Sequence, residues 1–180
     1  MELVLVRHPQ PEVAPGICYG RSDVAASPSA IAAVAQGLHQ AGLPGDLPVF
    51  ASPLRRCAEL TDRLGVPVTY DARLAEMDFG AWEMQRWDAI PRAEIDAWSA
   101  DLLHYRPGGG ESVSDVARRV AAFFDALRQA DHPRVLLVCH AGSMRLLAAL
   151  HAGGSIEEAA LRAASEAHRI DYGGIIVLKD

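Results

Sequence analysis

Two arginines and two histidines lie where they could bind a phosphate group. Arg7 and His8 directly follow the apolar run ELVLV, and His140 directly follows the apolar run RVLLVC. Arg56 lies in the segment SPLRRC, just after the short apolar run PVFA. An arginine can form two parallel hydrogen bonds to a phosphate, and a histidine can donate a hydrogen bond or attack phosphorus. These residue types predict a phosphate site, provided that the fold brings the three segments together.

The order of the apolar runs predicts how these segments meet. Short β-branched runs alternate with helical patterns along the chain, and the strongest amphipathic helix is expected over Ser114 to Ala130. This alternation predicts an α/β fold, a three-layer sandwich whose mainly parallel central sheet has helices on both faces. Ligands of such sheets bind beyond the carboxyl ends of the strands. We therefore expect the arginines and histidines at one edge of the sheet, beside the free N–H groups of a helix that opens at HAGS, residues 140–143.

Length, charge and composition exclude several classes of protein. The chain has 180 residues, 50% hydrophobic and 22% charged, so we expect a single domain over residues 1–180. The net charge of −6 argues against nucleic-acid or anionic-membrane partners. No apolar run approaches the ~18 residues of a membrane span, and the first residues lack the basic region of a signal peptide. With three cysteines and no CxxC pair, the sequence predicts a cytoplasmic protein with reduced thiols.

Five segments, in order, resemble the motifs of the histidine phosphatase superfamily, also called the phosphoglycerate mutase-like family. They are LVLVRHP, SPLRRC, LAEMDFGAWE, RPGGGES and LLVCHAGS, and they run from residue 3 to about residue 146. The segment CYGRSDV is also similar to the Tyr-Gly-Arg-Thr-Asp segment of the alpha-ribazole phosphatase branch. Each motif is weak alone, whereas five in the family's order are specific. Two features depart from the pattern: Pro9 replaces a glycine, and a phosphate-contacting asparagine is missing shortly after it.

The resemblance implies a role for each site residue. His8 matches the nucleophile that becomes phosphohistidine, and Glu76 matches the acid that protonates the leaving alcohol and then activates water. The implied catalytic set is completed by three groups around the phosphoryl oxygens: Arg7, Arg56 and His140. We expect the substrate to contact Arg7, Arg56, His140, Ala141, Gln10 and Arg21, with Gln10 standing in for the missing asparagine. Residues 73–112 are expected to form a lid-like region beside the site.

The activity that follows is a metal-independent phosphomonoesterase with no cofactor, acting on a small-molecule phosphate ester such as alpha-ribazole 5′-phosphate. No HExxH or paired-carboxylate motif suggests a metal site. One alternative is a phosphoglycerate mutase-type isomerase, for whose longer insertion and tail this chain has little room. Another is a non-catalytic phosphate-binding module, which the intact catalytic set argues against. A homodimer is possible.

Several neighbouring residues have two interpretations. Tyr19, Trp82 and Arg21 either line the substrate side of the cleft or serve packing and surface contacts. Glu83 is expected to hold a loop through backbone N–H groups, and Ser112 to cap the helix that follows it.

Overall fold

A five-stranded sheet forms the centre of the computed structural model, which describes residues 1–166 and 169–179. Its strands are β1 (Glu2–Arg7), β2 (Val49–Ala51), β3 (Val68–Tyr70), β4 (Arg134–Cys139) and β5 (Ile175–Leu178), in the spatial order β3-β2-β4-β1-β5. The first four strands are parallel, and β5 pairs antiparallel with β1. The prediction of a mainly parallel α/β sheet is confirmed.

Helices cover both faces of the sheet, as predicted. They are α1 (Pro28–Gln40), α2 (Arg55–Leu64), α3 (Arg92–Ala100), α4 (Val113–Gln129), α5 (Ala141–His151) and α6 (Ile156–Ser165). Alternate residues of β1 explain the layers: Leu3 and Leu5 pack with α4, α5 and α6, whereas Val4 and Val6 pack with α1 and α2. Because both faces are buried, the strands are continuously apolar. None of the helices in the described ranges has the length and apolarity to cross a membrane.

Two helices differ from their predicted bounds. Residues 91–105, which open at Pro91, are predicted from the sequence to be helical. The helix α3 ends at Ala100, because the Asp101 side chain accepts a hydrogen bond from the His104 N–H, 3.1 Å away, and turns the chain. The apolar pattern after HAGS predicts a helix over Ser143 to Ala152, but α5 already begins at Ala141, so that His140 is its N-cap residue. This earlier start places the second histidine directly at the helix N-terminus.

Side-chain caps fix the entry of the chain into α4 and α6. Ser112 forms a capping box with Asp115, and Ser155 forms one with Glu158. In each box the hydroxyl accepts a hydrogen bond from the N–H three residues later, and the carboxylate accepts one from the N-cap N–H. The predicted capping role of Ser112 is confirmed.

Candidate active site

The carboxyl ends of three neighbouring strands meet at one edge of the sheet. There β1 delivers Arg7 and His8, β2 leads into the segment that contains Arg56, and β4 leads into His140. The His8 N–H donates to the Cys139 carbonyl at 3.0 Å, which continues the β1–β4 pairing by one residue. A cavity of about 470 Å³ opens beside these strand ends. The structure therefore brings together the arginines and histidines that the sequence places after separate strands.

His8 is held in one tautomer. Its side chain is buried, and its Nδ1 lies 2.7 Å from the carbonyl oxygen of Pro9. A carbonyl oxygen only accepts, so Nδ1 carries the proton and Nε2 keeps its lone pair. Burial, and then the charges of Arg56 and Arg7, lower the pKa of His8 to about 3, although the bond to Pro9 acts in the opposite direction. The ring is therefore neutral at ordinary pH, and burial contributes more to the low pKa than the two arginines do.

Arg56 and Arg55 have opposite environments, as their register in the motif implies. Arg56 is fully buried, lines the cavity, and donates to the carbonyl oxygens of Gly20 (2.6 Å) and Ser22 (2.8 Å). The Arg55 side chain is 55% exposed and pairs with Glu59 at 2.9 Å. Of these two arginines, only Arg56 is placed to bind a ligand in the cavity.

Arg7 is the second cation on the cavity wall. Its Nη1 donates to the carbonyl oxygen of Ile170 at 2.5 Å, and its guanidinium carbon lies 4.0 Å from the centre of the Tyr172 ring. These contacts hold the Arg7 side chain at the carboxyl end of β1, next to His8.

His140 lies behind His8, not on the cavity wall. The two ring centres are 5.1 Å apart, and His140 is fully buried. Its Nε2 is 2.8 Å from the Ser52 hydroxyl, whereas its buried Nδ1 has no hydrogen-bond partner among the described residues. Burial first, and then the charge of Arg56, hold the pKa of His140 well below its usual value. His140 is thus a neutral ring, and its contact with phosphate is still a prediction.

Glu76 is anchored to the N-terminus of α5. One carboxylate oxygen accepts from the N–H of Met77 at 3.0 Å, and the other accepts from the N–H of Gly142 at 3.1 Å. A Cβ at position 142 would lie only 2.3 Å from the Glu76 Oε1 atom, so this approach requires glycine. One of the N–H groups predicted to hold an anion therefore holds the carboxylate that lines the cavity.

Three predicted substrate contacts have different positions. Ala141, the first residue of α5, lines the cavity. Gln10 and Arg21 are both exposed and are absent from the cavity wall. The backbone carbonyl of Gln10 accepts from Ser27, and the backbone N–H of Arg21 donates to Glu83. The structure gives no support to direct substrate contacts from Gln10 and Arg21.

Carboxylates outside the cavity fix the surrounding loops. Glu83 accepts from the backbone N–H groups of Phe79, Arg21 and Ser22, at 2.8–3.1 Å, which confirms its predicted role in holding a loop. Glu111 accepts from the Asp78 N–H at 3.0 Å and pairs with Arg119 at 2.8 Å.

Arg119 was missed by the sequence analysis, although it supports Glu76. Its guanidinium donates to the carbonyl oxygens of Arg73, Ala75 and Glu76 at 2.7–3.0 Å, so it fixes the backbone that carries the carboxylate. The sequence feature that could have indicated this role is the position of Arg119 immediately before Val120, beside the apolar face of α4.

Aromatic side chains form part of the cavity wall. Phe79, Trp87 and Trp98 line the cavity, and their ring centres are 5.7–6.3 Å apart. Tyr19 also lines the cavity, whereas Trp82 is 2% exposed, is absent from the wall, and donates its indole N–H to Glu94 at 2.7 Å. The sequence left two roles open for Tyr19 and Trp82, lining the cleft or packing. Tyr19 lines the cavity, whereas Trp82 packs in the aromatic cluster beside it.

The part of the chain that the structure describes contains no group of three or more His, Cys, Asp or Glu side chains that could hold a metal ion. Positive charge in the cavity comes from arginine side chains, two of which are Arg7 and Arg56.

Comparison with known proteins identifies the family. Residues 3–170 match the model of the histidine phosphatase superfamily, branch 1. The chain belongs to the histidine phosphatase superfamily. It is similar to the crystal structure of an alpha-ribazole phosphatase from Shigella flexneri, with a TM-score of 0.83 and 28% identity over 99% of this chain and 90% of that one.

Curated relatives of this histidine phosphatase carry phosphatase names. An adenosylcobalamin/alpha-ribazole phosphatase of Escherichia coli is 34% identical over 126 residues, which cover 64% of this chain and 61% of the relative. A Hydrogenobacter thermophilus protein provisionally named phosphoserine phosphatase 2 is 28% identical over 164 residues, 86% of this chain and 80% of the relative. The protein is a phosphoric monoester hydrolase, and the resemblance to the alpha-ribazole phosphatase branch is confirmed.

Proposed function

We propose that the protein hydrolyses the phosphate ester of a small molecule through a phosphohistidine at His8. The tautomer of His8 carries the proposal. Because Nδ1–H is bonded to the Pro9 carbonyl at 2.7 Å, Nε2 has the free lone pair that a nucleophile requires. Proline lacks the N–H of the family's glycine but keeps the carbonyl that His8 uses. This contact argues against a binding module inactivated by Pro9.

In the first step, Arg7 and Arg56 bind the phosphoryl oxygens, and His8 Nε2 attacks phosphorus opposite the leaving oxygen. The P–O bond breaks, its electron pair stays on the leaving oxygen, and protonated Glu76 supplies the proton of the released alcohol. In the second step, Glu76 takes a proton from water while the water oxygen bonds to phosphorus. The P–N bond then breaks, and its electron pair returns to Nε2. The products are the alcohol and orthophosphate, and no cofactor is required.

We propose that the leaving alcohol carries a flat, apolar group, and alpha-ribazole 5′-phosphate is the first candidate. The aromatic wall of Phe79, Trp87 and Trp98 supports this proposal, because flat groups pack well on aromatic rings. The names of the Shigella flexneri and Escherichia coli relatives point to the same substrate.

Residues 73–112 are proposed to act as a lid-like region. Much of the cavity wall comes from this stretch, including Glu76, Phe79, Trp87 and Trp98. Within it, α3 has no buried residue, which is the property expected of a segment held by few contacts.

The test is orthophosphate release from alpha-ribazole 5′-phosphate, phosphoserine and 3-phosphoglycerate, with and without EDTA. We expect the highest kcat/KM for alpha-ribazole 5′-phosphate and no effect of chelation. Conversion of 3-phosphoglycerate to 2-phosphoglycerate without orthophosphate release would establish the mutase alternative. Activity that EDTA abolishes and a divalent ion restores would contradict the metal-independent mechanism.

Variants of two tryptophans separate recognition from stability. Trp98→Leu should raise KM for alpha-ribazole 5′-phosphate by about 2- to 10-fold while changing that for phosphoserine little, since an aromatic contact contributes about 0.5–1.5 kcal/mol. Trp82→Phe is the matched control, because Trp82 belongs to the same cluster without lining the cavity. Equal effects of Trp98→Leu on both substrates would contradict the proposed aromatic subsite.

A further inference from the structure

The turn before β5, residues 170–174, holds Arg7 and His8 in place. Most of this turn lies beyond residue 170, where the match to the family model ends. The Arg7 N–H donates to the Gly174 carbonyl at 3.0 Å. The Gly173 N–H donates to the carbonyl oxygens of both Arg7 (3.1 Å) and His8 (3.2 Å). With the bond from Arg7 Nη1 to the Ile170 carbonyl, the turn contacts this pair at four points.

Gly173 fixes the turn against α1. Its φ of +71° is in the left-handed region, and a Cβ there would lie 2.5 Å from a methyl carbon of Val34. Only glycine combines this backbone conformation with this close packing. The backbone of the turn therefore packs closely against α1, and this packing places the side chain next to Gly173.

That side chain is Tyr172, which connects Arg7 and Arg56, two of the arginines that line the cavity. Its ring centre is 4.0 Å from the Arg7 guanidinium carbon and 5.6 Å from the His8 ring centre. Its hydroxyl is 2.7 Å from the hydroxyl of Tyr19, and the Tyr19 ring centre lies 5.5 Å from the Arg56 guanidinium carbon. The contacts form a chain from Arg7 through two tyrosines to Arg56.

We propose that Tyr172 is a positioning residue for phosphate binding: its ring face sets the plane of the Arg7 guanidinium. The inference rests on the proposed function, in which Arg7 and Arg56 bind the phosphoryl group. A guanidinium attracted to a ring face lies flat on it and keeps its N–H donors at the edge, free for phosphoryl oxygens. The bond to Tyr19 keeps the Tyr172 ring from rotating away.

The test measures the equilibrium dissociation constant of orthophosphate by calorimetry, together with kcat and KM for p-nitrophenyl phosphate. Tyr172→Leu removes the ring face, and Tyr172→Phe removes only the hydroxyl. The matched control is Tyr70→Leu, because Tyr70 has a similar exposure (45% against 40%) but bonds to Thr61 on α2.

We expect Tyr172→Leu to weaken orthophosphate binding by roughly 3- to 30-fold, the range of a cation–π contact, with an unchanged melting temperature. Tyr172→Phe should stay within about threefold of the wild type, and Tyr70→Leu should match the wild type. Should Tyr172→Leu fail to fold, a pentafluorophenyl ring at position 172 keeps the shape, reverses the charge of the face, and should give the same loss.

The inference is overturned if the variant without the ring face binds orthophosphate within twofold of the wild type, or if Tyr70→Leu loses as much. Failure of the proposed function would give a different result. The wild-type enzyme itself would then release no orthophosphate from any ester, whatever its affinity for the free anion.

Discussion

Gly142→Ala is expected to impair catalysis by displacing Glu76. The new Cβ would lie 2.3 Å from Oε1 and 3.1 Å from the carboxyl carbon. The carboxylate must therefore retreat by about 1 Å to restore an ordinary carbon–oxygen contact. A misplacement of about 1 Å can cost about 10²-fold in rate, and general acid catalysis is worth about 10²–10⁴-fold in all. We expect a loss of about 10²-fold on an alkyl phosphate.

The fold should tolerate this substitution. Alanine is favoured over glycine within a helix by up to about 1 kcal/mol, which offsets the loss of a hydrogen bond worth about 1 kcal/mol. The melting temperature should therefore stay close to that of the wild type.

The assay compares an alkyl phosphate with p-nitrophenyl phosphate in single turnovers that follow phosphorylation of His8. An aryl leaving group departs as a stable anion and needs little proton transfer, so Gly142→Ala should slow it far less. Glu76→Gln, which keeps the shape but has no transferable proton, should show the same contrast. Equal slowing of both esters in both variants would mean that Glu76 is not the general acid.

Other predictions concern the cations and the buried ring. Arg56→Ala should lower kcat/KM by about 10²-fold or more, and Arg55→Ala by less than about twofold, because Arg55 loses only an exposed ion pair; equal losses would mean that both arginines bind the ligand. Burial lowers the pKa of His8 to about 3 in the folded protein, against about 6.5 in the unfolded chain. Between these two pH values only the unfolded chain takes up the proton. The free energy of unfolding therefore has its full value above pH 6.5 and decreases as the pH falls toward 3. Denaturant titrations should show that the free energy of unfolding of His8→Asn falls less steeply with decreasing pH than that of the wild type, by about 1.4 kcal/mol per pH unit in this window. An equal slope in both proteins would contradict a neutral, buried His8.

The strand ends could be predicted because each buried strand is marked by its own apolar run. Runs of this kind predict parallel strands, and parallel strands place their carboxyl ends at one edge. The resemblance maps the family's arginine onto Arg56 of SPLRRC rather than onto its neighbour Arg55, and the burial of Arg56 agrees with this register.

Other features depend on contacts between distant segments and leave no local signal. Gln10 follows His8 by two residues, yet the chain turns it outward, where its carbonyl bonds to Ser27. Tyr172 reaches Arg7 from a turn near the opposite end of the sequence. Trp82 and Trp98 could not be ranked from the sequence, because only the packing around α3 decides which of them faces the cavity.

The most direct test of the mechanism is rapid acid-free quenching of the enzyme with a ³²P-labelled phosphomonoester, followed by peptide mapping. We predict acid-labile, base-stable label on His8, formed and lost at rates that account for turnover. His8→Asn should carry no label, and His39→Asn should be labelled like the wild type. Label on His140, or turnover that persists in His8→Asn, would contradict the assignment of His8 as the nucleophile.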